Sequence, residues 1–327
     1  MTLSVSVALC THNGARYIEE QLRSILEQSV LPVEVVVSDD ASSDDTLKRV
    51  QSVWERYATD ATTLRILHNE KPLGVARNFE QAIGATTAEL VALSDQDDSW
   101  HPQRIESARR RFQQHPELLL CFSDARLVDR DGLTLGVSLF EALEFSADER
   151  AQLVSGRGFD ALMHRNLVTG ATTMIRRSLL ESAAPFPEPW VHDEWLAVIA
   201  AARGHIEQLD EELIDYRQHG ANQIGVRKLG VRGKLARLVE PRGLRNDYLL
   251  DRATVLLHWL ELDAEKVGPA RIGMAREKVA HLSLRRNLPE RRLSRLLPVF
   301  RETATGRYRS YSRGVGDILR DLLQPAR

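Results

Sequence analysis

Cysteine is scarce in this sequence, whose 327 residues include two, Cys10 and Cys121. Both lie inside apolar runs of strand-like composition, where a buried free thiol is the expected state. Two cysteines cannot form the framework of several bridges on which small secreted domains depend. This usage favours a reducing compartment, and we expect a cytoplasmic protein.

Long hydrophobic runs are also missing. No stretch of about 18 apolar residues occurs, and the N-terminus has no basic segment followed by an apolar one. We therefore expect neither a membrane-spanning helix nor a signal peptide.

Two common nucleotide-binding fingerprints are absent. After the first predicted strand the chain reads Thr11-His12-Asn13-Gly14-Ala15-Arg16, without the Gly-x-Gly-x-x-Gly of dinucleotide-binding folds or a P-loop lysine. The acid-rich stretch follows the fourth strand, whereas a haloacid-dehalogenase-like phosphatase needs its aspartates after the first. These absences remove the main competing nucleotide folds.

The composition is that of a globular protein, with 43% hydrophobic and 28% charged residues. The charge is uneven, since residues 1–219 carry 21 Lys and Arg against 35 Asp and Glu, hence −14, and residues 220–327 carry 23 against 11, hence +12. We predict a catalytic domain over residues 1–227 and a basic helical region over residues 228–327.

Strand-like and helical patterns alternate four times in the first 120 or so residues. The predicted strands cover residues 4–10, 33–37, 64–67 and 89–93, and a further strand covers 118–123. This alternation predicts an α/β fold, a doubly wound and mostly parallel sheet with helices on both faces. A helical appendage is expected to follow it.

Polar residues follow each of the first four predicted strands. They are His12, Asp39 with Asp40, Asn69, and the stretch Asp95-Gln96-Asp97-Asp98. In doubly wound sheets the ligand lies beyond the carboxyl ends of the strands, so these residues are expected to share one crevice.

Three carboxylates fall within four residues at Asp95, Asp97 and Asp98. Clustered hard oxygen ligands suit Mg²⁺ or Mn²⁺, which also bind substrate phosphates. A solvated turn is the alternative, because Asp is common in turns and helix caps.

Six segments in this order resemble the inverting glycosyltransferases of family 2, which have the GT-A fold. The resemblance covers roughly residues 4–225, and the Asp-Gln-Asp-Asp form is most similar to the rhamnosyltransferase-like branch. The segments are 7–14, 37–44, 69 with 74–78, 94–98, 191–196 and 216–222.

The resemblance implies a donor site for a nucleoside-diphosphate sugar (dTDP-, UDP- or GDP-linked) and a metal, Mn²⁺ or Mg²⁺. Asp97 and Asp98 are the implied metal contacts, and His219 would complete the metal shell or touch the diphosphate. The implied donor-nucleotide residues are Thr11, His12, Asn13, Asp39, Asp40, Asn69, Arg77, Asp95 and Gln96.

The resemblance also implies that Asp193 is the general base, with the adjacent carboxylate of Glu194 as competitor. Inversion requires a carboxylate that takes the proton of the attacking hydroxyl. The alternative is an acidic pair that complements a helix dipole. On the acceptor side the implied residues are Gly170, Ala171, Thr172, His192 and Trp195.

In the C-terminal region leucines and arginines alternate from Leu282 to Phe300. An amphipathic segment of this kind can lie on an anionic membrane surface, here the inner face of the cytoplasmic membrane. The alternatives are packing on the catalytic domain or pairing between subunits of a homo-oligomer. No motif for nucleic-acid binding accompanies the charge.

The expected function is therefore a metal-dependent inverting glycosyltransferase that extends a bacterial surface polysaccharide, on a glycan or lipid-linked glycan acceptor. Resemblance to one branch alone points to rhamnose. A noncatalytic subunit that binds sugar nucleotide or glycan is the alternative of another class. A sugar-nucleotide nucleotidyltransferase is disfavoured, because the first turn lacks a Gly-rich basic loop.

Overall fold

The computed structural model describes residues 3–219 and 243–325, and the chain divides into two compact units. The first unit comprises residues 1–156 and 168–226, and the second comprises residues 157–167 and 227–327. The predicted boundary between residues 227 and 228 lies outside the described residues, as do the last positions of the segment 216–222.

The first unit is built on a mixed sheet with the strand order β3-β2-β1-β4-β8-β6-β9-β5, to which β7 adds by pairing with β6. Strands β3, β2, β1 and β4 are parallel, as is the pair β6–β9, whereas β8, β5 and β7 pair antiparallel. The strands are β1 Val5–Thr11, β2 Glu34–Asp39, β3 Thr63–His68, β4 Leu90–Ser94, β5 Ser99–Trp100, β6 Leu118–Val128, β7 Thr134–Ser138, β8 Thr173–Arg176 and β9 His205–Arg217.

The helices of the first unit bury an apolar side against this sheet. Because side chains alternate along a strand, Val5, Val7 and Leu9 of β1 share one core cluster with residues of the first, second and fourth helices. The third helix packs on β1 and β2. The helices are α1 Ile18–Leu26, α2 Thr46–Tyr57, α3 Val75–Ala85, α4 Arg104–Gln114, α5 Leu139–Ala142, α6 Ala147–Val154, α8 Leu180–Ala183 and α9 His192–Arg203.

The expected α/β fold is therefore confirmed. The five predicted strands correspond to β1, β2, β3, β4 and β6, and residues 212–216, which also have a strand-like pattern, lie in β9. Strands β5, β7 and β8 were not predicted. Cys10 and Cys121 are free and buried, as expected.

The second unit is helical, as predicted for the C-terminal region. A small core contains Leu288, Val299 and Tyr308. No helix in the described part of the chain is both long and apolar enough to cross a membrane. The helices are α7 Gly158–His164, α10 Gly243–Leu262, α11 Ala264–Val267, α12 Pro269–Arg286, α13 Leu296–Ala304, α14 Arg307–Tyr311 and α15 Val315–Leu323.

Candidate active site

The parallel register places Thr11, Asp39 and His68 side by side at the carboxyl ends of β1, β2 and β3. The fully buried carboxylate of Asp39 accepts hydrogen bonds from the Thr11 hydroxyl (2.8 Å) and the Ser42 hydroxyl (2.6 Å), and lies 3.0 Å from Nδ1 of His68. Burial raises the pKa of Asp39, but the hydrogen bonds from Ser42, Thr11 and His68 outweigh it and lower that pKa below its ordinary value. Asp39 is therefore an ionised hydrogen-bond acceptor at the carboxyl end of β2.

Asp40 holds the loop that leads into α3. Its carboxylate accepts the backbone N–H groups of Leu73 (2.6 Å) and Gly74 (2.9 Å) and lies 3.3 Å from the side-chain amide of Asn69. Asn69 in turn accepts from Gln81 of α3 at 3.0 Å. Asp40 and Asn69 thus fix the entrance of the helix on which Arg77 lies.

The turn after β1 is tied to the acidic loop, defined as Asp95 to Asp98. The side-chain amide of Gln96 accepts from the backbone N–H of His12 (2.8 Å) and donates to the carbonyl of the same residue (3.0 Å). A Cβ atom at Gly14 would overlap this amide, so the approach requires glycine. Asn13 accepts from the backbone N–H of Ser43 at 2.9 Å.

The acidic loop meets the end of β9. The Asp97 carboxylate lies 2.7 Å from Nε2 of His219, and the Asp98 carboxylate accepts the backbone N–H of Arg217 at 3.0 Å. The guanidinium of Arg217 donates to the carbonyl of Asp97 (2.8 Å) and to Glu20 of α1 (2.8 Å). These contacts bring the predicted metal residues Asp97, Asp98 and His219 together.

Burial and mutual repulsion raise the pKa values of Asp95 and Asp98 in this loop. Burial, with the charges of Asp97 and Asp193, raises the pKa of Asp95 to about 7. Burial and the charges of Asp97 and Asp95 raise the pKa of Asp98 well above its ordinary value. Such shifts mark sites where charge is concentrated for binding or catalysis. The antiparallel pairing of β4 with β8 places Gly170, which precedes β8, at the same end of β4 as the acidic loop, and Gly170 donates to Asp193 in the first turn of α9.

Arg104 is a buried cation close to these acids. It is 2% exposed, stacks over Trp100 at 3.5 Å, and donates to the carbonyls of Leu93 (2.9 Å) and Ala171 (2.7 Å). Burial lowers its pKa to about 9, although the charge of Asp98 opposes that shift. It remains a cation at neutral pH and offsets part of the acidic charge.

Sequence reasoning missed both Arg104 and Arg217 as parts of the site. The detectable signal for Arg104 was its spacing with Ala108 and Phe112, because three residues four apart lie on one helix face and the other two are apolar. Arg217 lies inside a recognised segment, but its partner Glu20 is distant in the sequence, so no local pattern indicates the contact.

Asp97 and Asp98 of the acidic loop, together with His219, fit a divalent cation whose coordination shell is completed by the substrate. One oxygen of buried Asp98 has no hydrogen-bond partner among the described residues, and Asp97 and His219 already lie together. Within residues 3–219 and 243–325, no three His, Cys, Asp or Glu side chains form a group that could hold a metal by themselves. Mg²⁺ and Mn²⁺ are commonly bound by one or two protein carboxylates with phosphates and water, so two protein ligands suffice.

The candidate base Asp193 lies in the first turn of α9 and is fixed by backbone N–H groups. It is 7% exposed, and its carboxylate accepts the N–H groups of Gly170 (2.9 Å) and Glu194 (2.7 Å). Position in the first helical turn also suits the helix dipole, which was the alternative interpretation of this pair. The structure thus gives Asp193 a defined orientation towards Gly170.

His192 packs between two predicted site elements. Its ring stacks on Phe79 of α3 at 3.8 Å, and burial lowers its pKa to about 3, so it is neutral. Neither ring nitrogen has a hydrogen-bond partner among the described residues. A Cβ atom at Gly170 would lie 2.7 Å from Nε2, which explains glycine at that position.

The remaining predicted acceptor and donor residues differ in exposure. Trp195 is fully buried and donates its indole N–H to the carbonyl of Ala183 at 2.8 Å, which places it in the core. Ala171 and Thr172 are buried in a short 3-10 helix. Arg77 is half-exposed in the first turn of α3 and pairs with Glu80 at 2.7 Å.

Residues 6–181 match the family model described as glycosyl transferase family 2. Among curated proteins, an uncharacterised protein of Mycobacterium tuberculosis (strain H37Rv) is 29% identical over 220 residues, 66% of this chain and 59% of that protein. The chain thus spans about three fifths of the length of that relative. A dTDP-rhamnosyl transferase, RfbG, of Shigella flexneri is 27% identical over 242 residues, 70% of this chain and 78% of RfbG.

Solved structures show the same fold at low identity. S. aureus TarS 1-349 in complex with UDP-GlcNAc has a TM-score of 0.55 and 19% identity, and the match covers 94% of this chain and 92% of that chain. The mannosyltransferase PcManGT of Pyrobaculum calidifontis in complex with GDP-Man and Mn²⁺ has a TM-score of 0.55 and 18% identity, covering 98% and 86%.

Proposed function

The chain belongs to glycosyltransferase family 2, and we propose that it transfers a sugar, with inversion, from a nucleoside diphosphate to a hydroxyl of a glycan or lipid-linked glycan. The observation that carries this proposal is the meeting of three groups at one sheet edge. These are ionised Asp39, the pair Asp97–His219, and Asp193, which is bonded to Gly170 next to the carboxyl end of β4.

The donor nucleoside is proposed to bind along the ends of β1, β2 and β3. Ionised Asp39 is fully buried and already bonded to Thr11, Ser42 and His68, so it would order the nucleoside pocket through these neighbours, with His12 beside them. The N-terminus of α3, where Arg77 lies, favours an anion because its first N–H groups and the helix dipole point towards it. This arrangement supports a diphosphate between α3 and the acidic loop.

A divalent cation, Mn²⁺ or Mg²⁺, would be held by Asp97 and His219, with Asp98 beside them. When bound, such an ion neutralises charge on the departing nucleoside diphosphate. The complex of PcManGT with GDP-Man and Mn²⁺ is consistent with this proposal, although that likeness shows the fold alone.

Asp193 is proposed to act as the general base. The adjacent carboxylate of Glu194 is proposed not to take the proton. The acceptor hydroxyl oxygen forms a bond to C1 of the sugar while the bond from C1 to the diphosphate oxygen breaks, and the electron pair leaves with the diphosphate. The hydroxyl proton passes to the Asp193 carboxylate. Gly170, whose N–H fixes that carboxylate, lines the proposed acceptor side.

The likeness to RfbG, a dTDP-rhamnosyl transferase, supports a dTDP-linked rhamnose donor as the first candidate. UDP- and GDP-sugars remain candidates, because TarS and PcManGT form complexes with UDP-GlcNAc and GDP-Man. We further propose a role in bacterial surface polysaccharide synthesis at the cytoplasmic face of the membrane.

Calorimetric titration of dTDP, UDP and GDP, each with Mn²⁺ and with EDTA, tests the donor site. We expect one nucleotide to bind in the presence of Mn²⁺ and to lose most of its affinity in EDTA. Asp97→Asn should reduce Mn²⁺-dependent affinity by about tenfold or more, since it removes a charged ligand.

Asp60→Asn is the matched control, because Asp60 is exposed and precedes β3 at the opposite end of the sheet. Unchanged Mn²⁺-dependent affinity in Asp97→Asn would overturn the metal assignment. Binding of a nucleotide sugar without transfer to any lipid-linked glycan would favour a noncatalytic binding subunit.

A further inference from the structure

Helix α15 of the second unit turns its apolar side to solvent. The two positions that it buries are both polar, namely Asp317 and Asp321, and the buried residue that follows it, Gln324, is polar as well. Ile318 and Leu322 are partly buried against the small core. Helices on a globular surface normally do the reverse and bury their apolar stripe. The exposed residues of α15 are Val315 (71%), Leu319 (44%) and Leu323 (46%).

Helix α13 and the turn before it show the same inversion. Their buried positions include Arg295 and Glu302, together with Val299. The exposed apolar residues recur at helical spacing and form one stripe. They are Leu293 (83%), Leu296 (54%), Leu297 (57%) and Phe300 (73%).

The polar sides of both helices are neutralised inside the unit. Arg285 of α12 donates to Asp321 (2.6 Å), and His281 of the same helix lies 2.8 Å from Glu302. Arg295 donates to the backbone carbonyls of Asp321 (3.1 Å) and Gln324 (2.6 Å). The buried network therefore fixes these helices with their apolar sides outward.

Helices α13 and α15 are in contact, so their exposed residues belong to neighbouring elements of one unit. We call the seven exposed apolar side chains the apolar face: Leu293, Leu296, Leu297, Phe300, Val315, Leu319 and Leu323. Exposed apolar clusters of this kind mark sites of interaction with a protein, a ligand or a membrane.

The charge of the chain segment that carries the apolar face distinguishes among these partners. In residues 286–325, all of which are described, the acids Glu302, Asp317 and Asp321 are buried, and Glu290 is the one exposed acid. Six arginines are exposed in the same stretch: Arg286, Arg291, Arg292, Arg301, Arg309 and Arg313. The partner is therefore expected to be anionic.

We propose that the apolar face docks on an anionic lipid bilayer. Leu297 and Phe300 would enter the acyl boundary, and Arg292 and Arg301, which flank the stripe at helical spacing, would contact lipid phosphates. A second copy of this chain fits the face less well, because the arginines of both copies would be brought together. The inference does not rest on the proposed transferase activity.

Co-sedimentation of the full chain with vesicles tests the proposal. We expect the chain to pellet with vesicles that contain phosphatidylglycerol and to stay largely in solution with pure phosphatidylcholine. The double substitution Leu297→Asp with Phe300→Asp should lower the partition coefficient by about tenfold or more, because two large side chains no longer leave water. Arg292→Gln with Arg301→Gln should weaken binding mainly at low salt.

The matched control is Leu133→Asp with Val154→Asp, which changes two exposed apolar residues of the first unit (68% and 77%). Equal pelleting of the Leu297/Phe300 variant and this control would overturn the proposal. So would light scattering that shows a dimer of the wild type broken by the same variant, since the face would then pair two copies. Nucleotide titration in the absence of vesicles reports on the donor site separately.

Discussion

Two adjacent carboxylates, Asp193 and Glu194, lie in the first turn of α9, and they differ in how they are held. Asp193 is 7% exposed and accepts the N–H of Gly170, whereas Glu194 is less buried. A base must be fixed within reach of the proton that it removes, and Asp193 satisfies this better. We predict that Asp193→Asn retains donor affinity and lowers kcat by about 100-fold or more, as expected for the loss of a general base.

Glu194→Gln is the matched comparison, because it neutralises the next residue of the same helical turn. It should leave kcat within about threefold, since the base of the reaction is retained. Kinetics with the cognate donor and a glycan acceptor distinguish the two. An inactive Glu194→Gln beside an active Asp193→Asn would assign the base to Glu194.

Arg104 links its own helix α4 to the end of β4, through Leu93, and to the 3-10 helix that contains Ala171. Its charge also offsets that of Asp98. Its replacement by Gln would leave buried carbonyls of Leu93 and Ala171 without their charged donor. We predict a loss of about 3 kcal/mol in the free energy of unfolding, the size expected when charged hydrogen bonds are removed from a buried site. Urea denaturation measures it.

Arg110→Gln provides the control on the same helix. Arg110 is exposed and lies 3.9 Å from Glu211, and exposed ion pairs of this kind contribute little. A change below about 1 kcal/mol is expected there. Similar midpoints for Arg104→Gln and wild type would contradict the structural role given to Arg104.

The roles of residues could be predicted only where a local sequence pattern indicates them. The acids at 95, 97 and 98 stand out because they end a strand, and the structure brings Asp97 to His219. Arg104 and Arg217 could not be placed in the same way, since their partners are backbone carbonyls and residues distant in sequence.

At the scale of elements, the turn after β1 and the acidic loop depend on each other. Gln96 pairs with both backbone groups of His12, and this pairing occupies the space beside Gly14. We predict that Gly14→Ala displaces Gln96 and costs about 2 kcal/mol of stability, about 1 for each hydrogen bond. Donor affinity should fall as well.

A double-mutant cycle tests this coupling. Gln96→Ala loses the same hydrogen bonds and removes the overlap, so the pair Gly14→Ala with Gln96→Ala should cost little more than either alone. Gly84→Ala is the control, because its added Cβ meets Leu180 at an ordinary 3.8 Å and lies in α3. Additive effects in the cycle would show that Gly14 and Gln96 act independently and would contradict the proposed coupling.

The order of elements could be predicted, but not every strand or every buried face. The strands β1 to β4 could be predicted because each is an apolar run that is followed by a helical pattern. Strand β5 has two residues and β8 has four, which is too short to show a repeating sequence pattern. In α13 and α15 the sequence indicates an apolar stripe but not its direction. The buried ion pair of Arg285 with Asp321 and the hydrogen-bond contact of His281 with Glu302 decide that direction.

At the scale of the whole molecule, the chain combines two units with separate cores and opposite net charge. The acidic unit holds the candidate site, and the basic unit holds the apolar face. Separate cores allow the units to respond differently to acid. The buried ion network of the second unit supplies a way to measure this.

Asp317 of α15 is 2% exposed and is faced by Arg285, Arg245 and Arg320. Burial raises its pKa, but these cations outweigh burial and lower that pKa to about 2. Because the folded pKa lies below the unfolded value, the contribution to stability is fully present above about pH 4 and is lost as the pH falls towards 2. We predict that the second unit loses about 2 kcal/mol of stability over this range, measured by hydrogen exchange of the α12 and α15 amides.

Asp317→Asn should be less stable at pH 6 and should flatten this acid dependence, whereas Asp251→Asn, at an exposed position of α10, should retain it. An unchanged acid slope in Asp317→Asn would show that other groups, and not this ion network, determine the acid sensitivity of the second unit.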